Sequence, residues 1–443
     1  MISKSLPEVE HFVPVQPSKL VKDFVKLRTV DLSRYEDGPE ARKELAEEVR
    51  LAMTTQGFFI LVNHGLSEED ISRQVDIGHT ILARTPDEEK HRLKAPIVEE
   101  GSYHGFKPRG HWIAKGNVRD KVENFNVNRD MTLREQPLTM EPYKPEIQSF
   151  IDYTHKEILY KLLRLFAIAL QIPDEDYFVK LHAYEGHDET WLRYMEYYDE
   201  YTEEEKKVTG GLWLSGHQDF TSLSILFSQP MSSLQVRDYD NNSEWTFVPH
   251  VPGAVIVNAG EIFKWWTGDY FKAAIHRVVQ PPEDQRGHNR CSVFYFCVPN
   301  DEVVINTLLD VSPVLREAGV QMAHEPQNAP TSKAWSNGRI KITGRNAVWE
   351  GKKDGRNMVV EKEEWSRVIW SDECSILRGS GIAREWVFRT PEQKWDKEFI
   401  TPRGKAQDLS IMIWAAIWGC QASDAYILER DWEAKKMGYS ANS

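Results

Sequence analysis

The stretch LSGHQDFTSLSILF, from Leu214 to Phe227, joins two strand-like apolar runs through a polar segment that holds a histidine and an aspartate. Because side chains on a strand alternate between its two faces, His217 and Asp219 project to the same side. A further histidine, His276, follows in AAIHRVVQPP, another strand-like run. The three side chains are candidate metal ligands between strands of a β-fold.

Outward from this stretch, short strand-like runs alternate with turn signals across residues 191–298. About eight short strands at this spacing are typical of a β-sandwich or jelly roll. The predicted strands are Leu192–Tyr198, Leu212–His217, Leu223–Phe227, Leu234–Asp238, Trp245–Val248, Ala254–Asn258, His276–Val279 and Cys291–Val298.

Helical patterns flank the strand-rich segment. Ala41–Thr55 carries apolar residues at helical spacing among charges, and a second such stripe runs from Ile147 to Leu170. Phe58–Val62 (FFILV) is a continuous apolar run that predicts a buried strand between them. These patterns predict an α+β fold in which helices flank a jelly-roll core, followed by a C-terminal extension.

The extension, residues 354–443, is unusually aromatic, which is not typical of a disordered tail, and we expect it to fold. Its tryptophans are Trp365, Trp370, Trp386, Trp395, Trp414, Trp418 and Trp432.

Composition excludes several classes of function. Lys and Arg number 55 against 68 Asp and Glu, a net charge of −13, whereas generic binders of nucleic acid or anionic membranes lean basic. The 4 cysteines form neither a disulfide framework nor a zinc motif. No apolar stretch reaches the roughly 20 residues of a membrane span, and MISKSLPEVEHF lacks the apolar core of a secretory signal. We therefore expect a cytoplasmic protein with no nucleic-acid or membrane partner.

Two His and one carboxylate on one face of a metal leave open coordination positions, the arrangement of non-haem Fe(II) oxygenases. A polar pair further along is compatible with this chemistry: Arg290 and Ser292 share one face of the last predicted strand. An arginine fork beside a hydroxyl is suited to a carboxylate. Since a buried arginine needs an anionic partner, the pair predicts either a carboxylate ligand or a structural ion pair.

Together, His217-x-Asp219, His276 and Arg290-x-Ser292 resemble the motif of the isopenicillin N synthase-like branch of the Fe(II)/2-oxoglutarate-dependent dioxygenases. The segment QPPEDQRGHN between His276 and Arg290 looks more like that of fungal members than of plant members. Three further stretches support the resemblance: GFFILVNHGL (Gly57–Leu66), LRYMEYYDE (Leu192–Glu200) and PGAVIVNAGEIFKWWTGDYFKAAIHRVV (Pro252–Val279).

The resemblance implies a double-stranded β-helix in which His217, Asp219 and His276 hold Fe(II). It also implies that Arg290 and Ser292 bind the distal carboxylate of 2-oxoglutarate, with O2 as the other co-substrate and ascorbate as an additional reductant. No catalytic side chain beyond the metal ligands is implied. The expected reaction hydroxylates, desaturates or cyclises a small molecule of specialised metabolism and releases succinate and CO2.

A tyrosine on the LRYMEYYDE strand would also contact 2-oxoglutarate by resemblance, and Tyr197 matches its position. The family usually has proline after this tyrosine, whereas Tyr198 and Asp199 follow here. Tyr198 is therefore the alternative.

Substrate contacts are predicted at four positions. Phe294 continues the strand face of Arg290, and Tyr103 lies in the glycine-rich, aromatic loop GSYHGFKPRGHW. Phe125 and Asn126 occupy a segment that often lines the pocket in family members. Plain core packing for Phe294 and an ordinary surface loop for Tyr103 are the alternatives.

The sequence divides into five predicted segments: an N-terminal dioxygenase region at 25–130, a helical linker at 131–190, the Fe(II)/2-oxoglutarate jelly roll at 191–300, C-terminal helices at 301–349 and the Trp-rich extension at 350–443. Three rival functions stay open. One is an Fe(II) oxidase of the same fold that uses no 2-oxoglutarate, another is an inactive jelly-roll binding protein, and the most remote is a zinc hydrolase. The sequence predicts neither the substrate nor the oligomeric state.

Overall fold

The computed structural model describes residues 6–237, 244–345, 370–377, 410–418, 421–422 and 426–428. The chain forms two compact units, Met1–Asn357 and Met358–Ser443. The described helices are α1 (Pro39–Thr55), α2 (Glu68–Arg84), α3 (Asp87–Arg92), α4 (Lys144–Tyr153), α5 (Tyr160–Ala169), α6 (Tyr177–Leu181), α7 (Glu203–Thr209), α8 (Glu261–Trp266), α9 (Pro313–Glu317) and α10 (Ser332–Arg345). Within the described residues, no helix has the length and apolarity needed to cross a membrane.

The strands of the first unit are β1 (Arg28–Asp31), β2 (Phe58–Val62), β3 (Gly105–Lys107), β4 (Ile113–Lys115), β5 (Val118–Arg119), β6 (Val122–Asn128), β7 (Trp191–Tyr197), β8 (Leu212–His217), β9 (Leu223–Phe227), β10 (Leu234–Arg237), β11 (Trp245–Phe247), β12 (Val255–Ala259), β13 (His276–Val279) and β14 (Arg290–Cys297). The second unit contains β15 (Trp370–Leu377), β16 (Ser410–Trp418), β17 (Gln421–Ala422) and β18 (Tyr426–Leu428), which pair as one antiparallel sheet.

Two sheets build the jelly-roll core of the first unit. The larger sheet has eight strands in the order β1-β2-β12-β9-β14-β7-β6-β3, and the smaller one has four in the order β11-β10-β13-β8. Apolar side chains from both sheets pack into one core between them, for example Phe58 and Ile256 from the larger sheet with Trp213 and Val278 from the smaller. The predicted α+β fold with a jelly-roll core is confirmed.

Several strand predictions succeeded because runs of apolar residues, either continuous or alternating, mark chain segments that are buried in the sheets. Phe58–Val62, Leu212–His217, Leu223–Phe227 and His276–Val279 are strands with the predicted bounds. The helix that follows β2 begins with a reciprocal capping box, which Ser67 and Asp70 form at the start of α2.

Two elements differ from the sequence patterns. The apolar stripe that predicts one helix up to Leu170 is interrupted by a π-helical segment, Thr154–Leu159, between α4 and α5. The segment holds His155, whose buried ring bonds both the Tyr295 hydroxyl and the His182 carbonyl. Strand β6 has polar residues at alternate positions of VENFNVN and is nevertheless buried along its whole length between β3 and β7.

The five-segment division of the chain stays a prediction. In the extension, Trp370, Trp414 and Trp418 belong to strands of the second unit. The other tryptophans singled out there lie outside the described residues: Trp365, Trp386, Trp395 and Trp432.

Candidate metal centre and co-substrate pocket

The three predicted metal ligands converge at one end of the smaller sheet. His217 ends β8 and pairs in register with His276, which begins β13. The Nε2 atoms of His217 and His276 lie 3.8 and 3.9 Å from Oδ1 of Asp219. One ligand atom from each residue can therefore reach a single ion, since these atoms lie within 4.8 Å of one another.

Each histidine ligand uses one ring nitrogen for a hydrogen bond to the backbone, which leaves the other ring nitrogen to face a metal. Nδ1 of His217 lies 2.9 Å from the Ser215 carbonyl oxygen, and Nδ1 of His276 lies 3.2 Å from that of Ala274. An Nδ1–H that donates to a carbonyl fixes the tautomer in which Nε2 carries the metal-binding lone pair.

The aspartate is held in the same way. Oδ2 of Asp219 accepts hydrogen bonds from Ser224 Oγ at 2.7 Å and from Asn258 Nδ2 at 2.8 Å. These bonds orient the carboxylate and leave Oδ1 toward the two imidazoles. Burial, together with the neighbouring His276, lowers the pKa of His217 to about 4. Its imidazole is therefore neutral near pH 7, which is the form that binds metals.

The backbone beside Asp219 is clamped by two later elements. The Glu261 amide at the start of α8 donates to the Asp219 carbonyl at 2.7 Å. The indole Nε1 of Trp335 on α10 donates to the Phe220 carbonyl at 2.9 Å. Gly260 permits the close approach, because a Cβ there would lie 2.0 Å from the Thr221 carbonyl oxygen. Two hydrogen bonds from later elements thus hold the backbone of the ligand loop in position.

The predicted co-substrate residues lie on two adjacent strands. Arg290 begins β14 opposite Tyr197 at the end of β7, with the guanidinium carbon 5.2 Å from the tyrosine ring centroid. Arg290 is only 2% exposed. Its Nε and Nη1, and Oγ of Ser292, are buried without a hydrogen-bond partner among the described residues.

Such orphaned donors fit the predicted ligand. Buried polar groups are almost always hydrogen-bonded, so an unpaired guanidinium beside an unpaired hydroxyl indicates a site for an acceptor that binds there. Within the described residues, the structural ion pair that the sequence left open for Arg290 is not found. A carboxylate would satisfy the guanidinium fork and the hydroxyl together.

The two neighbouring tyrosines have different surroundings. Tyr197 lines the cavity that holds the metal ligands and Arg290. Burial raises the pKa of Tyr197 to about 12, so its hydroxyl stays protonated and can donate to a carboxylate. Tyr198 points elsewhere, with its hydroxyl 3.3 Å from Glu123 and its ring under the guanidinium of Arg109.

The four predicted substrate positions separate into two pairs. Tyr103 and Phe294 line the cavity. Phe125 packs against Phe106, with ring centroids 4.5 Å apart, and Asn126 is buried in hydrogen bonds. Neither Phe125 nor Asn126 is among the residues that line the cavity.

Sequence reasoning missed a residue that the cavity contains. Arg193 lies on the same face of β7 as Tyr197 and enters the cavity between aromatic rings. The alternation of strand side chains could have found it, because positions 191, 193, 195 and 197 share one face. All four line the cavity.

Comparisons with known proteins agree with this geometry. Residues 190–299 match the family model of the 2OG-Fe(II) oxygenase superfamily, and residues 27–147 match that of the non-haem dioxygenase in morphine synthesis N-terminal region. Together the two matches cover just over half of the chain.

Relatives that match along most of their own length are distant in sequence. A 2-oxoglutarate-Fe(II) type oxidoreductase of Aspergillus fumigatus is 25% identical over 306 residues, which cover 66% of this chain and 86% of the relative. Scopoletin 8-hydroxylase of Arabidopsis thaliana is 27% identical over 286 residues, 64% of this chain and 73% of the relative. The crystal structure of a full-length Neurospora crassa protein in complex with alpha-KG has the same fold, with a TM-score of 0.59 at 22% identity over 74% of this chain and 99% of that protein.

The fold, the ligand set and the family matches together define a non-haem Fe(II)/2-oxoglutarate-dependent dioxygenase. The chain belongs to the 2OG-Fe(II) oxygenase superfamily. The predicted family, enzyme class and principal cofactors (Fe(II), 2-oxoglutarate and O2) are confirmed.

Proposed function

We propose that His217, Asp219 and His276 hold the Fe(II) of this dioxygenase, while Arg290, Ser292 and Tyr197 bind 2-oxoglutarate. The observation that carries the proposal is the orphaned, buried guanidinium of Arg290 in the same cavity as the three ligand side chains. When bound, Fe(II) and 2-oxoglutarate supply the activation of O2 that oxidises a substrate C–H bond, with release of succinate and CO2.

The residues of the chain perform three tasks in this function. The carbonyl-anchored histidines and the doubly hydrogen-bonded Asp219 present preorganised ligand atoms. The Arg290 fork and the Ser292 and Tyr197 hydroxyls donate to the distal carboxylate and so fix the direction of the co-substrate. Apolar side chains that line the cavity, such as Phe58 and Leu226, exclude water from the reaction.

We further propose that the substrate is a small molecule and that hydroxylation is the outcome. The cavity lies between the two sheets, and a relative is named for the hydroxylation of scopoletin. The fungal-type spacing between His276 and Arg290 supports a place in specialised metabolism. The acidic composition supports an enzyme without a nucleic-acid partner.

An anaerobic titration tests the residue assignment. Purified protein is loaded with Fe(II), 2-oxoglutarate is added, and the visible charge-transfer band of an iron-chelated keto acid is recorded. We expect one Fe(II) per chain and a saturable band in the wild type. His217→Ala should abolish both, whereas His288→Ala, at an exposed histidine outside the cavity, should change neither.

The other outcomes point to the rival functions. Stoichiometric iron without a band, combined with substrate-dependent O2 uptake, would favour an oxidase that uses no 2-oxoglutarate. Absence of iron binding would favour an inactive jelly-roll binding protein. Either result contradicts the proposal.

A further inference from the structure

Arg193 is a second cavity arginine with an unsatisfied nitrogen. Its Nε donates to Asn126 Oδ1 at 2.6 Å, which fixes the plane of the guanidinium. Its Nη2 is buried and has no hydrogen-bond partner among the residues that the structure describes. Asn126 is itself held, because its Nδ2 donates to the Tyr103 carbonyl at 2.7 Å. The arginine is therefore held through Nε, while Nη2 is left over for a ligand.

Aromatic rings surround this guanidinium. Its central carbon lies 4.9 Å from the ring centroid of Phe296, 5.3 Å from that of Tyr103 and 5.5 Å from that of Trp191. Trp191 and Phe296 stack at 4.9 Å with their planes 22° apart, and Phe220 stacks on Trp191 at 5.9 Å. Phe296 also stacks on Phe294, with ring centroids 5.4 Å apart, so the rings form one aromatic wall of the cavity. A planar ligand makes the most contact with such a wall.

The other charged groups of the cavity already have assigned partners. Asp219 belongs to the metal centre, and Arg290 faces the proposed co-substrate. Asp120 accepts hydrogen bonds from Lys107 Nζ and from the Trp112 amide. Arg193 is thus the cavity cation that has none of these roles. A carboxylate or carbonyl oxygen of a ligand would accept the hydrogen bond that its guanidinium can still donate.

We propose that Arg193 and the rings of Trp191, Phe296 and Tyr103 form the substrate subsite. The substrate class is a compact, planar, unsaturated molecule whose carboxylate or carbonyl oxygen accepts a hydrogen bond from Arg193 Nη2. This inference rests on the proposed function, since it assumes that Arg290 is occupied by 2-oxoglutarate. The cavity of about 210 Å³ lies below the roughly 300–1,000 Å³ typical of ligand pockets and would hold 2-oxoglutarate as well, which limits the substrate to a small molecule.

Binding of small probes tests the subsite without knowledge of the natural substrate. Wild-type enzyme saturated with Fe(II) and 2-oxoglutarate is titrated anaerobically with benzoate and with 2-pyridone by calorimetry. Two matched probes serve as controls. Cyclohexanecarboxylate keeps the carboxylate but lacks the planar ring, and benzylamine keeps the planar ring but carries a positive charge. We expect benzoate or 2-pyridone to bind, cyclohexanecarboxylate to bind more weakly, and benzylamine not to bind.

Variants then assign the binding to Arg193. Arg193→Met should lower the affinity for the probe by roughly 10- to 150-fold, the loss expected for one hydrogen bond to a charged group. Its affinity for 2-oxoglutarate, measured from the charge-transfer band, should stay within about two-fold of wild type. Arg42→Met removes an arginine that stacks on Tyr35 outside the cavity and should have no effect.

Each remaining outcome overturns the inference. The subsite is contradicted if neither planar probe binds, or if the saturated acid or the amine binds as tightly as the planar probes. It is also contradicted if Arg193→Met binds the probe with wild-type affinity. Recording the charge-transfer band in the same samples, supplied with Fe(II) and 2-oxoglutarate, separates the two proposals. Arg193-dependent probe binding in a protein that forms no 2-oxoglutarate band would refute the proposed function and leave the subsite intact.

Discussion

Two buried arginines show how differently one side chain can be used in this fold. Arg129, 4% exposed, makes a two-pronged ion pair with Asp188, at 2.6 and 2.9 Å, and donates from Nε to the Tyr184 carbonyl at 2.6 Å. Arg290, 2% exposed, has two nitrogens with no partner among the described residues. Both are equally removed from water, yet only one is satisfied by the protein.

The difference separates structural charge from functional charge. A charge buried for stability is surrounded by partners, because an unpaired buried charge costs several kcal/mol. A buried charge in a binding site has no protein partner and so lowers the stability of the fold. Ligand binding supplies the partner and removes this cost. Arg193 is intermediate, with one nitrogen held by Asn126 and another left free for a ligand.

The largest expected effect tests the satisfied side of the comparison. Arg129→Met should lower the free energy of unfolding by about 3–5 kcal/mol, because Asp188 is left buried without its cation. Urea unfolding of the full chain measures the change. Adding Asp188→Asn to this variant should restore part of the loss, since the amide removes the uncompensated charge. An unchanged midpoint in the single variant would contradict the structural role.

The same substitution at Arg290 should have the opposite signature. Without 2-oxoglutarate, Arg290→Met should unfold at an equal or higher urea concentration, because an unpaired charge is removed. Its affinity for 2-oxoglutarate should fall by about 2–5 kcal/mol, the cost of truncating one partner of a buried charge pair. That range corresponds to roughly 30-fold to several thousand-fold.

Arg290→Lys sharpens the test, because it keeps the charge and loses the planar fork. We expect an affinity between those of the wild type and Arg290→Met, measured with the anaerobic charge-transfer titration. Wild-type affinity in the lysine variant would show that charge alone, without the fork geometry, holds the co-substrate.

Much of the fold and the metal centre could be predicted because the relevant signals are local. Strand alternation around His217 and Asp219 shows which side chains share a face, and apolar runs such as Phe58–Val62 mark buried strands. The period-two rule also placed Arg290 and Ser292 together. Each of these inferences needs only neighbouring residues along the chain.

The second layer of the site could not be predicted, since it depends on contacts between distant segments. Asn258 reaches Asp219 from a neighbouring strand of the larger sheet, and Trp335 reaches Phe220 from α10. Asn126 was predicted as a pocket residue, whereas its side chain acts on Arg193. Only the sheet register, which pairs Asn126 with Arg193, brings these two side chains together.

The smallest expected effect concerns two histidines close to the satisfied arginine. Burial, with a smaller contribution from the charge of Arg129, lowers the pKa of His155 to about 3 and that of His182 to about 4. Each ring is held by two hydrogen bonds, those of His155 to Tyr295 and His182, and those of His182 to Phe178 and Ser222. Both histidines are therefore structural and stay neutral in the folded state.

Because these pKa values lie below the ordinary value of about 6.5, the unfolded chain binds more protons than the folded one between about pH 6.5 and 4. Their stabilising contribution is complete above pH 6.5 and declines as the pH falls, by up to about 1.4 kcal/mol per pH unit for each histidine. His155→Gln should reduce the loss of unfolding free energy between pH 6.5 and 5.0 by the contribution of one histidine, as measured by urea unfolding at the two pH values. Because both proteins are measured metal-free in the same buffers, the contribution of His217 cancels. An equal slope in the variant and the wild type would mean that His155 is protonated in the fold, which would contradict its place beside the fully paired Arg129.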